Sequence, residues 1–95
     1  MPLIVYNSAP SNSTVHLVCD LMVNYLGEDT NGRIDVCTDM VDIVVGSKRN
    51  YARAIAGARR GCVGIVEDDW FDEETNTHYI VGTNGVTVCV QYYPW

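Results

Sequence analysis

The residue types in this chain that most directly suggest chemistry are its two histidines and four cysteines. His16 and Cys19 are three positions apart, a spacing that places them close together on one helix and could supply half of a metal site. His78 and one of the other cysteines could complete such a site in space. However, there is no CxxC pair, and every cysteine lies in an apolar run, which favours reduced thiols buried in the core. We therefore predict no metal site.

Two loops rich in small polar residues each follow a predicted strand and precede a predicted helix. Their candidate anion-binding residues are Ser8, Ser11, Asn12 and Thr14 in the first loop, and Gly46, Ser47 and Lys48 in the second. If the two strands are parallel neighbours, both loops lie at the carboxyl edge of the sheet. Backbone N–H groups and helix N-termini attract anions there.

The first of these loops also invites comparison with a known family. Residues 3–14, a short apolar strand followed by a Ser/Asn-rich turn, resemble the phosphate-binding loop of flavodoxins. In that family the loop binds the phosphate of FMN, so the resemblance implies phosphate contacts from the first-loop residues named above. The alternative is that the same residues form a turn that caps the following helix.

Charge is unevenly distributed along the chain. Twelve acidic and six basic residues give a net charge of −6, which argues against a protein that coats nucleic acid. Five of the six basic residues are Lys48, Arg49, Arg53, Arg59 and Arg60. An acidic segment, residues 67–74, soon follows and is predicted to be a loop. It consists of Glu67, Asp68, Asp69, Trp70, Phe71, Asp72, Glu73 and Glu74.

Three interpretations of this charge pattern remain open. Both segments can be solvated surfaces, they can meet within a subunit or across a homodimer, or each can bind a partner of opposite charge. Aromatic residues surrounded by charge are typical of binding hot spots, although they can equally fold back onto the core. The predicted partner-binding residues are the whole acidic segment together with Arg49, Arg53, Tyr93 and Trp95.

Apolar spacing predicts a single α+β domain over residues 1–95, in the order β-α-β-(β)-α-β-β-β. We expect a sheet of four or five strands with two helices packed on it and a C-terminal β-hairpin at Asn84-Gly85. The predicted strands cover residues 3–6, 33–37, 42–45, 62–66, 78–81 and 86–92, and whether 33–37 and 42–45 are separate strands is open. The predicted helices cover residues 14–26 and the stretch from an N-cap at Ser47 to residue 60.

The sequence contains no pattern that pairs a nucleophile with a base, so we predict a non-enzymatic protein-binding module without a cofactor. A small acidic accessory or inhibitor protein of a virus or mobile element, acting on a protein with a basic groove, fits this composition. The alternative is an anion- or nucleotide-binding protein that uses the two loops. No apolar run approaches the roughly 18 residues of a membrane helix, and no basic segment precedes residues 3–6. We therefore expect a cytoplasmic location, in the host cytoplasm if the protein is viral.

Overall fold

The computed structural model describes residues 3–7 and 12–94 of the chain. Within them the chain forms six strands, two α-helices and a π-helical turn. In chain order these are β1 (Ile4–Asn7), α1 (Ser13–Leu26), β2 (Gly32–Val36), β3 (Met40–Val45), α2 (Lys48–Gly57), the π-helical turn (Ala58–Cys62), β4 (Val66–Asp72), β5 (Thr77–Gly82) and β6 (Thr87–Tyr92).

The six strands form one sheet, in the spatial order β1-β2-β3-β6-β5-β4. β1 is parallel to β2 and β3 is parallel to β6, while the other neighbouring pairs are antiparallel. The predicted α+β class, with two helices and one sheet, is confirmed. The predicted number of four or five strands is too low, because residues 33–37 and 42–45 contribute two separate strands, β2 and β3, that form an antiparallel hairpin.

The two helices contact each other and bury one face of the sheet. The spacing that predicted α1 is confirmed by its buried residues, which are Val15, Val18, Cys19, Met22 and Leu26. Asn12 caps this helix, since its side chain accepts a hydrogen bond from the backbone N–H of Val15 at 3.0 Å. Ser47 caps α2 in the same way, accepting from the backbone N–H of Asn50 at 3.1 Å. None of the helices in the described ranges is long and apolar enough to cross a membrane.

The largest difference from prediction lies between α2 and β5. Residues 62–66 were expected to be a strand because they are apolar, but residues 62–65 form the end of the π-helical turn and a tight turn. Gly61 and Gly64 have φ angles of 114° and 78°, which interrupt an extended backbone. The strand begins instead at Val66 and continues through most of the acidic segment, which was expected to be a loop.

The C-terminal hairpin is confirmed. β5 and β6 are antiparallel neighbours joined by a turn that contains Asn84 and Gly85. Gly85 has a φ of 82°, and the side chain of Asn84 accepts a hydrogen bond from the backbone N–H of Val86 at 3.1 Å. This hairpin places β5 between β6 and β4, so it determines where the acidic segment lies.

Candidate functional site

The acidic segment forms one edge of the sheet. Residues 67–72 belong to β4, which pairs with β5 on one side and with no other strand of the described chain. Glu73 and Glu74 are exposed in the turn that leads to β5. An edge strand directs half of its backbone N–H and C=O groups away from the sheet. Carboxylates and available backbone groups therefore lie together along this edge.

The side chains of β4 alternate between the two faces of the sheet. Asp69 and Phe71 point to the face that the helices cover. Asp68, Trp70 and Asp72 point to the opposite face, which no helix of the described chain covers and which we call the open face. Trp70 and Phe71 are 44% and 45% exposed. Neither aromatic side chain is buried in the core, so both are accessible to a partner.

Trp70 is held by a second aromatic ring. It lies directly opposite Tyr79 in the pairing of β4 with β5, and the two ring centroids are 4.6 Å apart with an interplanar angle of 18°. This is a stacked arrangement that restricts the rotation of the indole. Since Trp70 is already fixed, a partner that contacts it loses less conformational entropy on binding.

A single row of side chains crosses the open face from one edge of the sheet to the other. The strand register places in it, in order, Tyr6, Asp35, Asp42, Cys89, Tyr79 and Trp70. Aromatic residues stand at both edges, and two carboxylates lie side by side on β2 and β3. The open face therefore carries acidic and aromatic side chains, as β4 does.

The two carboxylates of this row, Asp35 and Asp42, oppose each other directly across β2 and β3. Burial raises the pKa of Asp42 above its usual value, and the negative charge of Asp35 raises it further, while Arg33 acts in the opposite direction. Opposed like charges destabilise a sheet. A cation placed on this part of the open face would relieve that repulsion.

The basic and acidic segments do meet within one chain. From the π-helical turn, Arg59 donates two hydrogen bonds to the carboxylate of Asp69, at 2.6 and 3.1 Å. His78 on β5 also contacts this carboxylate through its Nε2, at 2.5 Å. The hydrogen bond from Arg59 is the main reason that the pKa of Asp69 falls to about 2. This network attaches the helical layer to the acidic edge.

The other predicted partner-binding residues lie elsewhere. Arg49 is exposed in the first turn of α2, and the guanidinium of Arg53 donates to the backbone carbonyl of Tyr25 at 3.1 Å. Tyr93 is 67% exposed, and its backbone N–H donates to the carbonyl of Val45 at 2.9 Å. Trp95 lies outside the described residues. The structure therefore concentrates the acidic and aromatic candidates on β4 but does not bring Arg49 or Arg53 to it.

The geometry assumed for an anion site with two loops is wrong. β1 and β3 are not neighbours, and β3 runs opposite to β1 because it is antiparallel to β2. The loops that follow these strands therefore lie at opposite ends of the sheet. Asn12 and Ser47 serve as helix caps, whereas Ser8 and Ser11 lie outside the described residues. Thr14 lies in the first turn of α1, and Gly46 and Lys48 flank Ser47.

His16 and Cys19, which could supply half of a metal site, are not joined by further metal ligands in the described chain. Cys19 is buried on the inner face of α1 and His16 is exposed, whereas His78 lies on β5 and contacts Asp69 of β4. Among residues 3–7 and 12–94, no three His, Cys, Asp or Glu side chains form a group that could hold a metal ion.

Comparisons with protein families, with curated proteins and with solved structures found no match for this chain. The site must therefore be interpreted from its own residues. Sequence reasoning did not single out Asp35, Asp42 or Tyr79. The available signals were the polar position of Asp35 between Ile34 and Val36 and the single acidic residue, Asp42, in the apolar run of β3.

Proposed function

We propose that this protein is a protein-binding module, not an enzyme, and that it binds a positively charged segment of its partner along β4 and the adjoining open face. The observation that carries the proposal is the position of the acidic segment, which occupies an edge strand with a fixed tryptophan on its open face. Carboxylates, an aromatic side chain and available backbone groups lie together on β4.

The backbone of β4 supports binding by strand addition. An extended partner segment that lies beside an edge strand forms main-chain hydrogen bonds with it, while its alternate side chains contact one face of the sheet. On the open face these side chains would meet Asp68, Trp70 and Asp72. Lysine or arginine at alternate positions of the partner segment would match this pattern.

The charge of β4 supports selectivity for a basic partner. Carboxylates along an edge discourage pairing between two copies of the same edge, because like charges would come together. They attract a basic segment and accelerate its association, an effect that weakens as salt is added. The acidic edge therefore favours a different, positively charged chain over a second copy of itself.

We favour a partner whose extended basic segment lies at a groove that ordinarily holds nucleic acid. Carboxylates can take the place of phosphates in such a groove, and an exposed indole can take the place of a base. A small accessory or inhibitor protein, of the kind expected for a virus or mobile element, would act in this manner by occupying the groove.

The proposal is tested with a synthetic strand-forming peptide in which arginine alternates with valine and threonine. A matched peptide carries glutamate in place of arginine. Binding is followed by tryptophan fluorescence in a Trp95→Phe background, where Trp70 is the remaining tryptophan. We expect saturable binding of the basic peptide that weakens with added salt, and slower hydrogen exchange in β4. Absence of saturable binding, or equal binding of both peptides, would overturn the proposal.

Two sets of charge-neutralising substitutions separate a local effect from the effect of net charge. The test variant combines Glu67→Gln, Asp68→Asn and Asp72→Asn on β4. The control variant combines Asp20→Asn, Glu28→Gln and Asp29→Asn, which lie exposed on α1 and in the turn after it. We expect the test variant to lose about tenfold or more in affinity, since each 1.4 kcal/mol corresponds to tenfold. Equal losses of affinity in both variants would mean that binding depends only on the net charge of the protein.

A further inference from the structure

A groove runs between α2 and the end of the sheet formed by β4, β5 and β6. It has a volume of about 410 Å³ and is lined by Lys48, Tyr51, Phe71, Asn76 and Tyr92. It lies on the face of β4 opposite to Trp70, so it is separate from the open face. Its size falls in the usual range of small-molecule sites.

Three aromatic rings from three different elements line this groove. Tyr51 comes from α2, Phe71 from β4 and Tyr92 from β6. Phe71 is 45% exposed, and its ring lies 6.3 Å from that of His78, tilted by 44°. Flat rings of this kind bind another flat, apolar ring through stacked or edge-to-face contacts. The lining therefore favours a planar aromatic ligand over a branched aliphatic one.

The charge of the lining points to a negatively charged ligand. Lys48 is the one charged residue among the lining residues, in a protein whose net charge is −6. No ion pair joins Lys48 to another residue of the described chain. Arg59, in the π-helical turn after α2, differs from Lys48 because it forms an ion pair with Asp69. Lys48 therefore remains available to pair with an anion bound in the groove.

We propose that this groove binds a small planar aromatic carboxylate, with the ring between Tyr51, Phe71 and Tyr92 and the carboxylate beside Lys48. Asn76 and the tyrosine hydroxyl groups supply hydrogen bonds at the rim. Phe71 belongs to β4, but its side chain lies on the face opposite to Trp70, so this site does not share the open face with the proposed protein-binding surface.

The proposal is tested with 2-naphthoate, with its neutral amide and with the cationic 2-naphthylmethylammonium ion. Titrations followed by calorimetry and by NMR of the aromatic protons measure the affinity and locate the site. We expect saturable binding of 2-naphthoate with shifts at Phe71 and Tyr92, about tenfold tighter than that of the amide. No saturable binding, or equal affinity for all three probes, would overturn the proposal.

A pair of variants that remove the same charge tests the role of Lys48. Lys48→Met removes the cation from the groove, and Arg49→Met removes a neighbouring exposed cation that does not line it. We expect Lys48→Met to abolish the preference for 2-naphthoate over its amide and Arg49→Met to preserve it. Equal effects of the two variants would contradict the assignment. Trp70→Ala should leave 2-naphthoate binding unchanged, which separates this test from that of the protein-binding function.

Discussion

Arg59 and Asp69 connect the two layers of the molecule through a pair of hydrogen bonds at 2.6 and 3.1 Å. The guanidinium belongs to the π-helical turn, and the carboxylate belongs to the acidic edge strand. Because both nitrogens bind the same carboxylate, the pair has the bidentate geometry that fixes orientation as well as charge. The most acidic part of the chain is thereby held against the end of its most basic part.

We predict a modest coupling free energy between these two residues. Their side chains are 51% and 25% exposed, so solvent screens the interaction and the coupling should be about 0.5 to 1 kcal/mol. A double-mutant cycle with Arg59→Met and Asp69→Asn, measured by urea denaturation, gives this value. A coupling indistinguishable from zero would mean that the pair fixes geometry without adding stability.

The same pair should make stability depend on pH in the acid range. The pKa of Asp69 is lowered from 3.8 to about 2, so its contribution is fully present above pH 3.8 and is lost as the pH falls through about 2. The difference in unfolding free energy between the wild type and Asp69→Asn should therefore shrink below pH 3.8. A difference that stays constant from pH 6 to about pH 2 would contradict this assignment.

We predict that ionisation of Asp42, unlike that of Asp69, destabilises the folded protein. Its pKa is raised by burial and by Asp35, so ionisation of Asp42 weakens the folded state as the pH rises. Asp42→Asn should therefore stabilise the protein at neutral pH by about 0.5 kcal/mol. The gain should vanish below the unfolded pKa of 3.8, where both states are protonated. Destabilisation at pH 7 would show that the attraction of the Arg33 charge outweighs burial and the repulsion from Asp35.

The sequence predicted those parts of the fold that depend on local patterns. α1 followed from apolar residues three and four positions apart, and the caps Asn12 and Ser47 lie at the predicted helix starts. The β5–β6 hairpin followed from Asn84-Gly85. Each of these signals is contained in a few neighbouring residues, so no knowledge of distant contacts is needed.

The missed features depend on contacts between distant segments. The acidic segment lacks the alternation of a half-buried strand, yet it forms a strand because it pairs with β5, where Trp70 stacks on Tyr79. The position of β3 beside β6 similarly brings Asp42 next to Cys89. Strand order is not encoded in local periodicity, so neither the row on the open face nor the separation of the two loops could be predicted.

Gly82 is predicted to tolerate no side chain. A Cβ at this position would overlap the backbone carbonyl oxygen of Val63, which cannot move without displacing the turn before β4. Gly82→Ala should therefore cost about 2 to 3 kcal/mol of unfolding free energy.

Gly57→Ala is the matched control for Gly82→Ala. The added Cβ would lie 2.6 Å from Cδ1 and 2.9 Å from Cγ of Tyr25, so a side chain and not the backbone would have to shift. Alanine also favours a helix over glycine, so the net cost should stay below that of Gly82→Ala. Thermal and urea denaturation of the two variants test the difference, and similar costs would contradict the stated cause.

The four cysteines should differ in reactivity. Cys19 and Cys89 are buried, and burial is the main cause that raises the pKa of Cys89 to about 12. Cys37 and Cys62 are partly exposed, contrary to the expectation that all four lie in the core. Alkylation of the native protein should therefore modify Cys37 and Cys62 slowly and leave the buried pair intact, as peptide mass spectrometry would detect. Early modification of Cys89 would contradict its burial.

The pairing of β3 with β6 also has a consequence for folding. The two strands form the middle of the sheet, yet they are far apart in the chain, with Met40 opposite Thr87. Each half of the sheet is built from nearer neighbours, β1 to β3 on one side and β4 to β6 on the other. Distant pairings form slowly, and unpaired strands promote aggregation. We therefore expect refolding yield to fall as protein concentration rises, because each half of the sheet exposes an apolar strand until β3 pairs with β6.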